Sequence, residues 1–285
     1  MTSFESGPQA SVESPEARER REILGHTTAY INAGGRGTRL ESVLPKDTEK
    51  GITKALIDFK GEPIVLYHIE RLIRRGVGKV VVLAGDHRHI EERLGERLRQ
   101  YPNVELRFEE EQRGTGGDLI RAIRADQTPN EYALVSNVDT LLDVDEGAVL
   151  MQHKETGAEA TIVLTTRSDV PNQGAFVVDE QHRVVVNREG GTTVDEIVPP
   201  EKFMWQGSST GMVVFDTKSL STSEWQTSSG ELSVYRDLLS EIGRRGKLYA
   251  YDNGKNFFMD VGTPRTYDKM NRHPILKDAL ENKSL

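Results

Sequence analysis

Residues 31–40 read INAGGRGTRL, placing three glycines and two arginines directly behind the apolar pair Tyr30-Ile31. Glycine lets backbone N–H groups come close to a ligand, and consecutive free N–H groups form a nest for an anion. Gly34, Gly35 and Gly37 are therefore candidate donors, with Ala33 and Thr38 at the edges of the loop and Arg36 and Arg39 as candidate counter-charges. Phosphate is the natural guest, because a guanidinium fork binds two of its oxygens at once. The loop is not a dinucleotide fingerprint, which needs Gly-x-Gly-x-x-Gly opening a helix, and no Gly-Lys-Ser/Thr follows as in a P-loop. Taken alone, it is equally compatible with a tight turn that carries incidental basic residues.

The elements that must position this loop are legible from the apolar periodicity. From Thr27 onward TTAYINA, KVVVLAG, VELRFE and YALVSN read as strands, and residues 63–76, 87–100 and 114–126 read as helices. In PIVLYHIERLIRRG, Val65, Ile69, Leu72 and Ile73 recur at helical spacing and Gly76 stops the run. Strands alternating with helices predict βαβ units and a mainly parallel sheet. After about residue 157 closely spaced strands follow, ATIVLTT, GAFVVD, RVVVN and STGMVVFD, which suggest an antiparallel subregion on the same sheet. Helix SVYRDLLSEIGRRG, strands KLYAYD and NFFMDV and the helical TPRTYDKMN complete the pattern.

Composition narrows the function classes. The chain has 285 residues, 36% of them apolar, no cysteine and a net charge of −8. Disulfides and thiolate zinc sites are excluded, and an acidic chain does not present a nucleic-acid-coating surface. No run approaches about 18 apolar residues, so no membrane partner is expected. The reading is a soluble, cytoplasmic protein. Residues 1–24 are polar and rich in Ser, Pro and Glu, and are expected to form a disordered tail. Residues 25–285 are expected to form one domain, with a nucleotide half over about 25–157 and a second-substrate half over 158–285.

The glycine loop, TKALIDFKGEPI (53–64), EEEQRGTGGDLIRAI (109–123), SNVDTLL (136–142) and FFMDVGTPRTYDKMN (257–271) occur in one order from about Thr27 to Asn271. Together they resemble the sugar-1-phosphate nucleotidyltransferases, most of all the mannose- or heptose-1-phosphate guanylyltransferase type. The resemblance implies a Rossmann-like fold, Mg²⁺, and transfer from a nucleoside triphosphate to a sugar or sugar-like 1-phosphate with release of pyrophosphate. Charge neutralisation and alignment would then be the main tasks.

Carried onto this chain, the resemblance gives Arg39 the leaving phosphates and Lys54 the α-phosphate, with Lys46 and Lys50 read as solvated loop residues. Lys54-Ala55-Leu56 followed by Gly61-Glu62-Pro63 fits the order of signature lysine, strand, turn and helix. Glu109, five residues before Gly114-Thr115, falls where the base is read. A carboxylate accepts two hydrogen bonds and donates none, which suits guanine N1–H and its 2-amino group and points to GTP. Gly114, Thr115 and Asn137 complete the expected nucleotide site, and Gly116 and Gly117 are expected to bring the next helix close to it. Asp139 and Asp260, each ending a strand, are the expected Mg²⁺ ligands.

Both halves depart from the family pattern, the second-substrate half further. Val138 replaces the glycine usual before the metal aspartate. Arg188-Glu189-Gly190 stands where the family has a lysine for the sugar phosphate, so Arg188 or Lys202 would substitute and Glu189 would bind hydroxyls. Gly174, Thr210 and Gly211 are expected to line that pocket, for a sugar, heptose or cyclitol phosphate. Two rivals remain. Asp143-Val144-Asp145 has the D-x-D form of a nucleotide-sugar-dependent glycosyltransferase, and a nucleotide-sensing regulatory homologue would bind without turnover. A homo-oligomer is left open.

Overall fold

The computed structural model describes residues 13–35, 37–40, 42, 53–109, 111, 113–167, 175–187, 204–225 and 230–273. Its first helix, α1 (Pro15–Gly25), corrects the expectation of a disordered tail through residue 24. Ser14 accepts the Ala17 N–H at 3.1 Å and Pro15 opens the first turn, a sound helix start. The helix is held by Ile23 and Leu24, both buried, and by its charged stems. Composition missed this because two apolar residues at the end of a polar helix suffice once a partner surface exists.

Strand β1 (Thr27–Asn32) leads through two short 3₁₀ turns, Thr38–Leu40 and Lys54–Leu56, to a small hairpin of β2 (Asp58–Phe59) and β3 (Glu62–Pro63). Helix α2 (Ile64–Arg75) ends at Gly76 in the left-handed conformation, φ 91°. Then follow β4 (Lys79–Gly85), α3 (His89–Leu98), β5 (Val104–Phe108), α4 (Gly114–Ala125), β6 (Tyr132–Asn137) and the short β7 (Thr140–Leu142). Helix α5 (Glu146–Thr156), which the periodicity does not flag, buries one face, but that face carries Glu146, Gly147 and His153 beside Val149 and Leu150 and so shows no apolar stripe.

The second half holds β8 (Ala160–Thr165), β9 (Ala175–Val178), β10 (Val184–Asn187), the long β11 (Trp205–Asp216) and α6 (Thr217–Thr222). A π-helical turn, Val234–Leu239, runs into α7 (Ser240–Arg244), followed by β12 (Leu248–Asp252), β13 (Phe258–Asp260) and α8 (Pro264–Arg272).

One nine-stranded sheet organises the chain, with β5, β4, β1 and β6 parallel in that order and β11 antiparallel beside β6. β8, β9 and β10 extend the antiparallel part, and β12 runs parallel to β8. Strand alternation splits the core. Ala29, Ile31, Val80 and Val82 face α2, α3 and α5, whereas Tyr30, Val81, Leu83 and Val135 face α4, α6 and α7. This is the expected Rossmann-like α/β fold with an antiparallel subregion. The carboxyl ends of β1, β4 and β6 converge on one edge, the place where open α/β sheets bind ligands.

Candidate active site

At the end of β1, Ala33 donates its N–H to the Leu83 carbonyl at 2.9 Å. A Cβ on Gly34 would stand 3.2 Å from the backbone of Gly85, and one on Gly85 would stand 3.1 Å from Gly34 Cα. The first loop can therefore lie against the end of β4 only because both residues lack side chains. Gly37 (φ 64°) accepts the Leu40 N–H at 2.7 Å and so closes the turn that exposes Thr38 and Arg39. Arg36 lies outside the described residues.

Lys54 is hung from this same loop. Buried Thr53 donates its hydroxyl to the Ala33 carbonyl at 3.1 Å and receives the Ala55 N–H at 3.3 Å, capping the Lys54–Leu56 turn. The Lys54 ammonium donates to Asp139 Oδ2. Lys46 and Lys50 lie outside the described residues.

The two expected aspartates meet because β7 and β13 pair antiparallel, with Thr140 opposite Asp260. Val261 N–H donates to the Asp139 carbonyl at 2.8 Å, and Gly262 N–H donates to Asp260 Oδ1 at 2.6 Å. A Cβ on Gly262 would stand 2.8 Å from Asp260 Oδ1, 2.9 Å from Asp139 Oδ2 and 3.5 Å from Lys54 Nζ. Three charged head groups thus share one small space that only glycine leaves open. Sequence reasoning did not single out Gly262, although a glycine two residues after a strand-end aspartate was the available signal. Among the described residues no group of three metal-ligating side chains is present. Two carboxylates suit a hard cation whose shell is completed by phosphate oxygens and water.

Val138, unexpected in its position, is clamped at both ends. Its N–H donates to the Asn32 carbonyl at 3.2 Å, and its carbonyl lies 3.0 Å from His68 Nε2. Burial lowers the His68 pKa to about 3, so the ring is neutral and Nε2–H donates. Helix α2 thereby fixes the backbone one residue before Asp139. Asn137 is held similarly, by Asn32 Nδ2 at 3.3 Å from its Oδ1.

Between the glycine loop and α4 lies a cavity of about 320 Å³, walled by Asn32, Gly34, Gly35, Gly114 and Thr115 and by Asp86, Glu109, Glu111, Asp118 and Glu231. Glu109 is buried, tied by its N–H to the Gly85 carbonyl at 2.9 Å and by Oε2 to Arg121 at 2.8 Å. Asp118, one turn into α4, has its pKa raised to about 6, first by burial and then by the negative charge of Glu109. Neither Arg121 nor Asp118 was visible as a site residue in the sequence. Gly116 and Gly117 both donate their N–H to the Leu232 carbonyl, at 2.7 and 3.2 Å, so these amides are taken by the chain itself, while Gly114, Thr115 and Asp118 of the same helix wall the cavity. Glu110 lies outside the described residues.

The second-substrate half is less assembled. Thr210 is fully buried and gives its hydroxyl to the Val163 carbonyl at 2.8 Å, which corrects its expected place in a pocket. Gly211 (φ 80°) abuts Asn137, whose Nδ2 would lie 3.0 Å from a Cβ there. Gly174, Arg188, Glu189 and Lys202 lie outside the described residues. In the D-x-D triplet, Asp145 caps α5 through Ala148 N–H at 3.1 Å and pairs with Arg20 at 2.6 Å.

Residues 28–275 match the family described as Nucleotidyl transferase. The chain is 28% identical over 247 residues to a mannose-1-phosphate guanyltransferase beta-A of Xenopus laevis, covering 84% of this chain and 62% of that protein. It is 29% identical over 245 residues to a mannose-1-phosphate guanylyltransferase catalytic subunit beta of Drosophila melanogaster, covering 85% of this chain and 61% of that one. The chain therefore spans less than two thirds of the length of these relatives. Among solved structures, HddC from Yersinia pseudotuberculosis superposes with a TM-score of 0.66 at 23% identity, covering 86% of this chain and 98% of that one. HddC has also been solved with GMP-PN. The inositol-1-phosphate CTP transferase of T. maritima gives a TM-score of 0.60 at 20% identity, covering 86% of this chain and 95% of that one.

Proposed function

The chain belongs to the nucleotidyl transferase family, and on that premise we propose that it transfers a nucleotidyl group, GMP from GTP, to a sugar or sugar-like 1-phosphate. An oxygen of the sugar phosphate attacks the α-phosphorus, the bond from that phosphorus to the bridging oxygen of the β-phosphate breaks, and pyrophosphate leaves. The observation that carries this reading is the convergence of Lys54, Asp139 and Asp260 around Gly262. In it, the ammonium of Lys54 exchanges Asp139 for the α-phosphate, where negative charge builds as the bond breaks. Mg²⁺ held by Asp139 and Asp260 would supply the remaining charge neutralisation when bound. The backbone donors of Gly34, Gly35 and Gly37 and the exposed guanidinium of Arg39 take the leaving phosphates.

The base sits in the cavity against Glu109, whose carboxylate accepts from guanine N1–H and the 2-amino group. Guanylyl chemistry is favoured by the carboxylate acceptors in the cavity wall, Glu109 among them, and by the relatives named for guanine, against the neighbour named for CTP. A glycosyltransferase is disfavoured because Asp145 of the D-x-D triplet is committed to a helix cap and to Arg20. The test crosses the four nucleoside triphosphates with mannose, glucose, heptose and cyclitol phosphates and follows pyrophosphate. Release with GTP and one acceptor is the expected result. No pyrophosphate with any pair would overturn the transferase reading, and a preference for CTP, ATP or UTP would overturn the guanylyl one.

A further inference from the structure

A second cavity, of about 330 Å³, lies beside another stripe of α4, lined by Arg113, Arg121, Arg124, Ile120, Trp225 and Leu232. The arginines, Gly117 and Ile120 recur at spacings of three and four, so they share one face of the helix, apart from the Gly114, Thr115 and Asp118 flank that walls the nucleotide cavity. The two cavities have opposite chemistry. Among the described residues, the first is lined by five carboxylates and no cation, the second by three arginines and no carboxylate. In a chain of net charge −8 such a cationic pocket stands out, because a concave surface of one sign focuses its field on a counter-ion. The partition is thin: Glu231 faces the first cavity and Leu232 the second.

Two ion pairs cross this partition. Arg121 holds Glu109 at 2.8 Å and Arg113 holds Glu111 at 2.6 Å, while Arg121 and Arg113 remain half exposed to the second cavity. Arg124 bonds the carbonyls of Ser221 and Ser223 at 3.0 and 2.9 Å and pairs with no carboxylate among the described residues. Trp225 supplies an aromatic wall, anchored by its indole N–H on the Leu220 carbonyl at 3.0 Å and backed by Arg245.

We propose that this cavity binds a small phosphate-bearing anion, and that the anion draws Arg121 away from Glu109 and so tunes the base-reading carboxylate. Three guanidinium forks suit a phosphate group, and an aromatic wall suits the body that carries it. With Arg121 engaged elsewhere, both oxygens of Glu109 become free for a base, so anion binding and GTP binding reinforce one another. By linkage each ligand tightens the other by the same factor, at least about fivefold. This coupling rests on the proposed role of Glu109; the anion site itself does not.

The chain has two tryptophans, so a Trp205→Phe background leaves Trp225 as a local fluorescent reporter. Inorganic phosphate, mannose 1-phosphate and GMP are titrated separately, which distinguishes a free phosphate from a sugar- or nucleoside-borne one. A saturable change is expected for at least one probe. Arg124→Gln should weaken it by about tenfold, the worth of one charge-assisted contact, and Arg113→Gln, which leaves the α4 anchors intact, should do the same. The absence of saturation for every probe, or unchanged affinity in both variants, would overturn the site. A non-hydrolysable GTP analogue should tighten the probe in the Trp205→Phe protein and lose that effect when Glu109→Gln is added; an unchanged affinity would overturn the coupling. The titration needs no turnover, so it stands even if no pyrophosphate is released.

Discussion

Two ion pairs join the segment after the glycine loop to the segment after β6, and they are built for opposite ends. Lys54 meets Asp139 at the sheet edge with side chains 17% and 11% exposed, whereas Arg71 meets Glu146 between α2 and α5 with side chains 5% and 0% exposed. His68 on the Val138 carbonyl lies between them in sequence, so one run of α2 and its approach holds the whole strand-end segment at three points. On the proposed function, the outer pair sits where substrate can replace one partner. The inner pair has no such exit, and its loss leaves a charge in a dry place. What separates a site from a brace is therefore the access of a competing partner, since both pairs are equally cation and carboxylate.

This comparison predicts that Arg71→Met has the largest effect on stability and the smallest on chemistry. Among the described residues Glu146 would keep only Arg75, at 3.7 Å, and removing one partner of a buried pair costs about 3–5 kcal/mol. Urea unfolding should show that loss, while turnover per folded molecule stays near wild type. Replacing both partners, Arg71→Met with Glu146→Leu, should recover most of the stability.

Lys54→Ala should invert the pattern. We expect the rate of transfer to fall by about 10²–10³, the usual effect of deleting one preorganised electrostatic group, with a thermal midpoint close to wild type. If melting of Lys54→Ala falls as far as that of Arg71→Met, the distinction between site and brace collapses.

Glu109 with Arg121 tests the middle of the scale, one partner buried and the other half exposed. Glu109→Gln replaces an acceptor oxygen by a donor amide, so GTP should lose about 1–3 kcal/mol of its preference over UTP in relative kcat/KM. Selectivity that does not move would return Glu109 to a merely structural acidic edge.

Asp118 gives the smallest effect and sharpens the rule from the other side. Its folded-state pKa of about 6 lies above the ordinary 3.8, so the folded chain holds this proton more tightly than the unfolded one. Stability from this group is therefore full below 3.8 and is lost as pH rises through about 6. Asp118→Asn should flatten that slope and raise stability at pH 7 by on the order of 1 kcal/mol, discounted for solvent screening. Melting curves between pH 4 and pH 8 that stay parallel for both proteins would contradict it.

Much of the fold was legible because short-range pattern suffices for it. The apolar runs at β1, β4 and β6, the spacing in α2 and the Gly76 stop are all local properties of the chain. α5 and α1 were not legible, because each is stabilised by the other: Arg20 meets Asp145, Glu19 meets Lys154, and Arg20 packs over Gly147. Those contacts link residues more than a hundred positions apart and leave no periodic signal in either stretch.

The sequence by itself determined which residue types stand at the strand ends, the glycines of the first loop, the lysine after it and the two aspartates, since side-chain chemistry is carried by identity and order. Only the tertiary structure decided which of them meet. Pairing of β7 with β13 brings Asp139 to Asp260, the Thr53 hydroxyl on Ala33 hangs Lys54 above them, and Gly262 leaves the space they share. It also gave the Thr210 hydroxyl to a neighbouring strand and the α4 amides to Leu232. The physical reason is that a polar group takes whichever partner packing brings within hydrogen-bond reach, and packing is a property of the whole chain.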